Sequence, residues 1–259
     1  MAGVSGRVAL VTGAGSAGGI GFACAEVLAE HGASLAVTST TARIHDRLRQ
    51  LGGGHRAYVA DLTDPVAARA LVMAVRKDFG RLDIIINNAG MVQTGRKFRA
   101  SRVEKITDDE WQRHLALNVT TALNVIRAAL PIMQKASYGR IVNIASVTGP
   151  VVTNPRAAGY GSAKAAMTGL TRAVAVENAA SDITCNAVLP GWIASVSQSA
   201  MEVIAGQAAP ARRSGTPREV AACAMFLASE ESSYVTGAML VVDGGNSIVE
   251  FKGAPADWY

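Results

Sequence analysis

Two hydrophobic rhythms alternate along this chain. Short, unbroken apolar runs fall at residues 8–12, 35–38, 57–60, 84–87, 141–144, 183–188 and 239–242, and each is predicted as a strand. Longer stretches between them carry apolar residues at helical spacing. One covers residues 20–30 with Phe22, Val27 and Leu28. Another begins at Pro65, a residue suited to a first helical turn. Strands alternating with helices predict an α/β fold, a Rossmann-type doubly wound parallel sheet of about seven strands. The strands are apolar throughout rather than alternately, as expected where helices cover both faces. No repeat, low-complexity tract or Pro/Ser-rich linker interrupts the pattern, so residues 1–259 are expected to form one domain. The tail 246–259 is expected to extend over the surface or reach a neighbouring subunit.

Composition narrows this picture. Of 259 residues, 49% are hydrophobic, enough for a substantial core, and 17% are charged, which argues against disorder. No basic stretch followed by an apolar core stands at the start, and no apolar run reads as a bilayer span. Cys24, Cys185 and Cys223 are far apart and show no metal-ligand spacing, so no metal is expected. Three isolated thiols point to a reducing cytoplasm. Much of the net charge of +5 is local: residues 94–105 hold Arg96, Lys97, Arg99, Arg102 and Lys105 against Glu104. Such a patch suits a phosphate or an acidic partner, or is simply a solvated loop. Few aromatics and no binding motif accompany it, so nucleic acid is not expected.

The first turn, Thr12-Gly13-Ala14-Gly15-Ser16-Ala17-Gly18-Gly19-Ile20-Gly21, follows a strand and opens a helix. In that context glycines let the backbone approach a pyrophosphate at the helix N-terminus, although glycine-rich turns also serve merely to turn a chain. The second strand ends without the acidic residue that accepts from a ribose 2′-hydroxyl in NAD sites. Ser39, Thr40, Thr41 and Arg43 stand there instead, a set that suits a 2′-phosphate and favours NADP(H) over NAD(H), though Arg43 also fits a helix surface. Asp61, after the third strand, is placed to accept from an adenine amino group or to cap the next helix, a task Asp64 could perform.

Tyr160 and Lys164 are four residues apart, on one face of a helix. A phenol titrates near pH 10, and a nearby ammonium is expected to lower that value and make an acid–base pair. Ser146 follows the fifth strand, at the carboxyl end where open α/β sheets bind ligands. Asn118 lies in a helical segment, 111–119, and on residue type alone reads as a surface polar group. His31, His45, His55 and His114 show no partner spacing and read as surface or capping groups, and Trp111 as helix packing.

Taken together and in order, these motifs resemble the short-chain dehydrogenase/reductase family across residues 6–245. They are the glycine turn, Asp61-Leu62, Asn87-Asn88-Ala89-Gly90, Asn118, Ser146, Tyr160 with Lys164, Pro190-Gly191 and Val241-Val242-Asp243-Gly244-Gly245. The resemblance implies that Tyr160 is the catalytic acid–base and that Ser146 positions the substrate oxygen. Lys164 would hold the nicotinamide ribose and lower the Tyr160 pKa, and Asn118 would hold a water in a proton relay. Gly13, Gly19, Ile20 and Gly21 would meet the phosphates. Leu62, Asn88, Ala89 and Gly90 would border the adenosine, and Pro190, Gly191 and Ile193 the nicotinamide. Four departures stand out. The glycine turn is two residues longer than Thr-Gly-x-x-x-Gly-x-Gly and contains no basic residue. The stretch between Gly90 and Trp111 is about six residues longer than is usual in the family. The threonine customary after Pro190-Gly191 is missing, with Ser195 nearest.

The implied activity is hydride transfer between a nicotinamide and a carbonyl or alcohol, with similarity to bacterial 3-oxoacyl-carrier-protein reductase-like proteins. The basic loop could then meet an acyl-carrier protein, although Ala180-Ser181-Asp182 lacks the basic residue carrier-binding relatives often have. A free ketone, secondary alcohol, sugar or cyclic polyol is the alternative substrate. Met91, Val92, Thr148, Val152, Thr153 and Trp192 are the expected pocket. A non-catalytic nucleotide-sensing module is the alternative of another class. The resemblance also implies a homotetramer built through the helices around residues 111–132 and 157–176.

Overall fold

The computed structural model describes residues 3–90 and 101–250. Seven strands, all parallel, form one sheet in the order β3-β2-β1-β4-β5-β6-β7. They are β1 Val8–Val11, β2 Ser34–Ser39, β3 Arg56–Val59, β4 Ile84–Asn87, β5 Gly139–Ile144, β6 Ile183–Pro190 and β7 Met239–Val242. The helices are α1 Ile20–Glu30, α2 Ile44–Leu51, α3 Pro65–Phe79, α4 Asp108–Leu115, α5 Thr121–Ala136, α6 Ala158–Asn178, α7 Ala200–Gln207 and α8 Pro217–Ala228. The Rossmann-type expectation holds, and every expected strand is found.

Both faces of the sheet are covered, which accounts for the unbroken apolar strands. Ala9, Val11, Ile84, Ile86 and Val142 point to one side and pack with Phe22, Val27 and Leu28 of α1 and Val220 and Leu227 of α8. Their neighbours Val8, Leu10, Ile85 and Ile141 point to the other and pack with α3 and α5 through Leu71, Val75, Ile126 and Met133. Each Val, Leu, Ile, Phe or Met side chain among them contributes about 1.5–3 kcal/mol relative to exposure.

The helix ends follow from local chemistry. Asp64 accepts from Val66 N at 2.8 Å ahead of Pro65, so Asp64 rather than Asp61 caps α3. Ser199 with Glu202 and Thr216 with Glu219 form capping boxes on α7 and α8. The chain from α4 to α5 runs as one helical stretch, Asp108–Ala136, interrupted by a π-helical segment at Ala116–Thr120. This stretch corrects one expectation: by length and composition it is apolar enough to cross a membrane. Its Val125, Ile126, Ala129 and Met133 are instead buried against the sheet.

Strand order reverses between β1 and β4. At such a switch point the loops beyond the carboxyl ends diverge and leave a crevice.

Candidate active site and cofactor cleft

A cleft of about 510 Å³ opens at this crevice and continues over β5 and β6. At its β1 end, Thr12 fastens the glycine turn to β4. Its hydroxyl accepts from Asn88 N at 3.0 Å and Ala89 N at 2.9 Å, while Asn88 Nδ2 donates to Thr12 O and Gly13 O. Gly13 has φ +68°, and a Cβ there would lie 2.8 Å from Ala89 Cα. Gly19 opens α1 with no side-chain cap, so the first N–H groups of the helix are left for a ligand. Gly13, Gly19 and Ile20 line the cleft, whereas Gly21 packs beneath it, a Cβ on it meeting Asn88 Nδ2 at 2.4 Å.

Arg43 also lines this end. Its Nε would lie 2.8 Å from a Cβ at Gly15, and the Ser39 hydroxyl 2.9 Å, so the second glycine of the turn makes room for both groups. The Ser39 hydroxyl donates to Thr41 O at 2.8 Å, and the hydroxyls of Thr38 and Thr41 are buried without a hydrogen-bond partner. Thr40 is exposed beside them. Uncapped N–H groups, a cation and orphaned hydroxyls together fit a phosphate-bearing nucleotide. Asp61 is exposed and its Oδ1 accepts from Thr63 N and Oγ1, so this loop turns on Asp61, while the adjacent Leu62 is buried.

At the other end, β5 delivers Ser146 and the first turn of α6 delivers Tyr160. Ser146, Tyr160 and Lys164 line the cleft together, as do Gly90, Pro190, Gly191 and Ile193. The Ser146 hydroxyl accepts from Thr148 N at 3.1 Å. Lys164 Nζ donates to Ile144 O at 2.8 Å and stands 5.8 Å from the centroid of the Tyr160 ring.

Burial governs the titration of this pair. Burial holds the Tyr160 phenol above its ordinary value, a hydrogen bond with Ser146 pulls it back, and the Glu202 carboxylate adds to the rise. Burial pulls the Lys164 ammonium down to about 8. For both groups burial, which disfavours the charged form, is the largest cause of the shift. The cleft therefore presents a protonated phenol, a hydroxyl and a lysine whose ammonium titrates at about 8: an acid, a hydrogen-bonding group and a cation.

Asn118 is 1% exposed, not a surface residue. Its Nδ2 donates to His114 O at 3.1 Å, within the π-helical segment, and its Oδ1 would lie 3.0 Å from a Cβ at Gly90. His114 is likewise buried, correcting its reading as a surface histidine. His31, by contrast, ends α1 on the surface.

Of the expected pocket, Thr148, Val152, Thr153 and Trp192 line the cleft. Met91 and Val92, like Arg96, Lys97 and Arg99 of the basic loop, lie outside the described residues. Arg102 in that loop pairs with Glu104 at 3.2 Å. The cleft also includes Ser16, Asn154, Gln198, Glu202 and Asn246, which sequence reading missed. Ser16 stood within the glycine turn. The others come from loops and from α7, where no motif marks them.

A parallel sheet with a glycine turn at its switch point and a Ser–Tyr–Lys set lining one cleft defines a Rossmann-type nucleotide-binding protein with acid–base groups in that cleft. The chain matches the family model described as Enoyl-(Acyl carrier protein) reductase over residues 13–247. It is similar to Oxidoreductase UcpA of Escherichia coli (strain K12), 38% identical over 96% of this chain and 98% of that protein. It is also similar to 3-oxoacyl-[acyl-carrier-protein] reductase FabG of Vibrio cholerae, 36% identical over 93% and 98%. Among solved structures, a short-chain dehydrogenase/reductase from Burkholderia xenovorans superposes with a TM-score of 0.88 at 36% identity, covering 96% of this chain and 99% of that one. Levodione reductase does so at 0.87 and 30% identity, covering 95% and 99%. The chain belongs to the short-chain dehydrogenase/reductase family and is an NAD(P)(H)-dependent oxidoreductase.

Proposed function

We propose that this protein is an NADPH-dependent carbonyl reductase in which Tyr160 protonates the substrate oxygen. The observation that carries this reading is a protonated, partly buried Tyr160 beside Ser146 and Lys164, in one cleft with Arg43. The reduced nicotinamide supplies the hydride when bound. Gly13, Gly19 and Ile20 would hold its phosphates, Ser39, Thr40, Thr41 and Arg43 the 2′-phosphate, and Leu62, Asn88, Ala89 and Gly90 its adenosine half. Pro190, Gly191 and Ile193 would border the nicotinamide. Ser146 Oγ donates a hydrogen bond to the substrate carbonyl oxygen and orients it. As hydride reaches the carbonyl carbon, the C=O π electrons move onto oxygen and Tyr160 Oη gives its proton to that oxygen. The resulting phenolate is stabilised by Lys164, and Asn118 would hold the water that returns a proton. The whole chain would act as one domain carrying both cofactor and substrate.

One observation favours a second reading, a dehydrogenase of a free secondary alcohol, sugar or cyclic polyol. Asn154, Gln198 and Glu202 line the substrate end of the cleft, where an acyl chain would prefer apolar walls. The FabG likeness supports the thioester reading, with an acyl-carrier protein as partner. For assembly we favour a cytoplasmic homotetramer through α5 and α6, on which Leu123 and Val176 are exposed.

The test is the rate of NADPH oxidation with an acetoacetyl thioester beside free ketones and NADH, for the parent protein and Tyr160→Phe. The variant is expected to bind NADPH and lose about 10²–10⁴-fold in kcat, the range for a general acid. A Tyr160→Phe protein with parental turnover would overturn the mechanism, and one that binds NADPH in a parent without turnover would leave a nucleotide-sensing module.

A further inference from the structure

Tyr160 stands between Gly159 and Gly161 in the first turn of α6, and a neighbour rests directly on the helix backbone at each of them. On one side, a Cβ at Gly149 would lie 2.1 Å from Gly161 O, so the loop after β5 presses against the turn. On the other side the ring of His114 presses against Gly159. A Cβ at Gly159 would lie 2.3 Å from His114 Cδ2, 2.8 Å from Cγ and 3.0 Å from Nε2. Gly159 does not occupy the left-handed region, so its backbone could carry a side chain. The neighbouring imidazole is what leaves no room for one. Glycine is also a poor helix former, and Ala157, the N-cap of α6, provides no side-chain cap. Packing rather than capping therefore fixes this turn.

His114 acts on the second part of the site as well. Its carbonyl oxygen accepts the Asn118 Nδ2 hydrogen bond at 3.1 Å, where the helix loosens into its π-helical segment. Segments of this kind recur at functional sites. His114 is 4% exposed and so has one place to sit. One residue thus holds Asn118 by its backbone and the turn bearing Tyr160 by its ring.

We propose that His114 is a positioning residue, its ring wedged against Gly159 to set the height of Tyr160 in the cleft while its carbonyl fixes the Asn118 amide. This rests on the catalytic role given to Tyr160 above. The wedge predicts steric coupling: a methyl group at position 159 does harm only while the imidazole is present.

The experiment is a double-mutant cycle of Gly159→Ala, His114→Ala and the pair together, with His114→Val in place of His114→Ala if the alanine variant unfolds. Three quantities are read: melting temperature, NADPH affinity by fluorescence, and the phenol titration of Tyr160 as an ultraviolet difference against Tyr160→Phe. Where turnover is measurable, kcat and KM are read too. Gly159→Ala should lower the melting temperature, shift the Tyr160 titration and cut kcat by about 10²-fold, the scale of a 1 Å misplacement, with NADPH affinity and KM unchanged. The double variant should recover the melting temperature, the titration and most of kcat. A Gly159→Ala protein that matches the parent, or a double variant as impaired as Gly159→Ala, would overturn the proposal. The titration and melting readouts need no substrate. If no substrate turns over, the carbonyl-reductase reading fails while the cycle still decides the wedge.

Discussion

The Tyr160 phenol and the Lys164 ammonium share a helical face, as their spacing requires, yet their titration follows from burial. Lys164 is 4% exposed and donates to a backbone carbonyl, so it spends part of its charge on Ile144 O. Arg43 is the opposite case, an exposed cation whose neighbours are buried hydroxyls. Its proposed role can be tested by Arg43→Glu. A charge-assisted hydrogen bond contributes about 1.5–3 kcal/mol, so NADPH affinity should fall about ten- to a hundred-fold while NADH affinity changes much less. Fluorescence titration with both cofactors measures this, and an equal loss for the two would remove Arg43 from cofactor discrimination. Tyr160, Lys164, Ser146 and Arg43 were all legible in the sequence, because each stands in an ordered motif or at a strand end. His114 and Glu202 were not, because nothing in their sequence neighbourhood says what packs against them.

At the scale of elements, helix α1 and strands β4 and β7 match their expected bounds, and β2, β3, β5 and β6 lie within two residues. Apolar periodicity and glycine boundaries suffice for that. The π-helical segment escaped, since residues 116–120 carry no feature distinguishing them from an ordinary helix. The glycine turn divides into roles only in three dimensions: Gly13 and Gly19 face the cleft, while Gly21 lets α1 pack on Asn88. Ala normally favours a helix over Gly by about 0.5–1 kcal/mol. At Gly21 a Cβ would meet Gly13 O at 2.7 Å and an Asn88 amide held by two hydrogen bonds, so overpacking of about 1–3 kcal/mol should win. Gly21→Ala is expected to melt a few degrees below the parent, at roughly 2–4 °C per kcal/mol. Calorimetry showing an equal or higher melting temperature would contradict that packing.

For the whole molecule, burial of histidines ties stability to pH. Burial holds His114 and His55 below the ordinary imidazole value, and His55 Nδ1 accepts from Leu35 N at 3.1 Å. Both therefore take up a proton less readily in the folded state than in the unfolded chain, which protonates near pH 6.5. The unfolded state then binds more protons, so stability is full above about pH 6.5 and falls as pH drops from there through the folded values. The melting temperature should decline between pH 7 and 5, and His55→Gln should flatten the decline. A parent protein melting identically at both pH values would exclude this linkage.

By itself the sequence determined the element order, the parallel doubly wound architecture and the motif residues, because periodicity and glycine or proline punctuation are local properties of the chain. Strand order, the meeting of Arg43 with Gly15, the burial of Asn118 and the seating of His114 against Gly159 were decided only by tertiary structure. Those residues lie far apart along the chain, and what each can do depends on the desolvation and steric contacts that folding imposes.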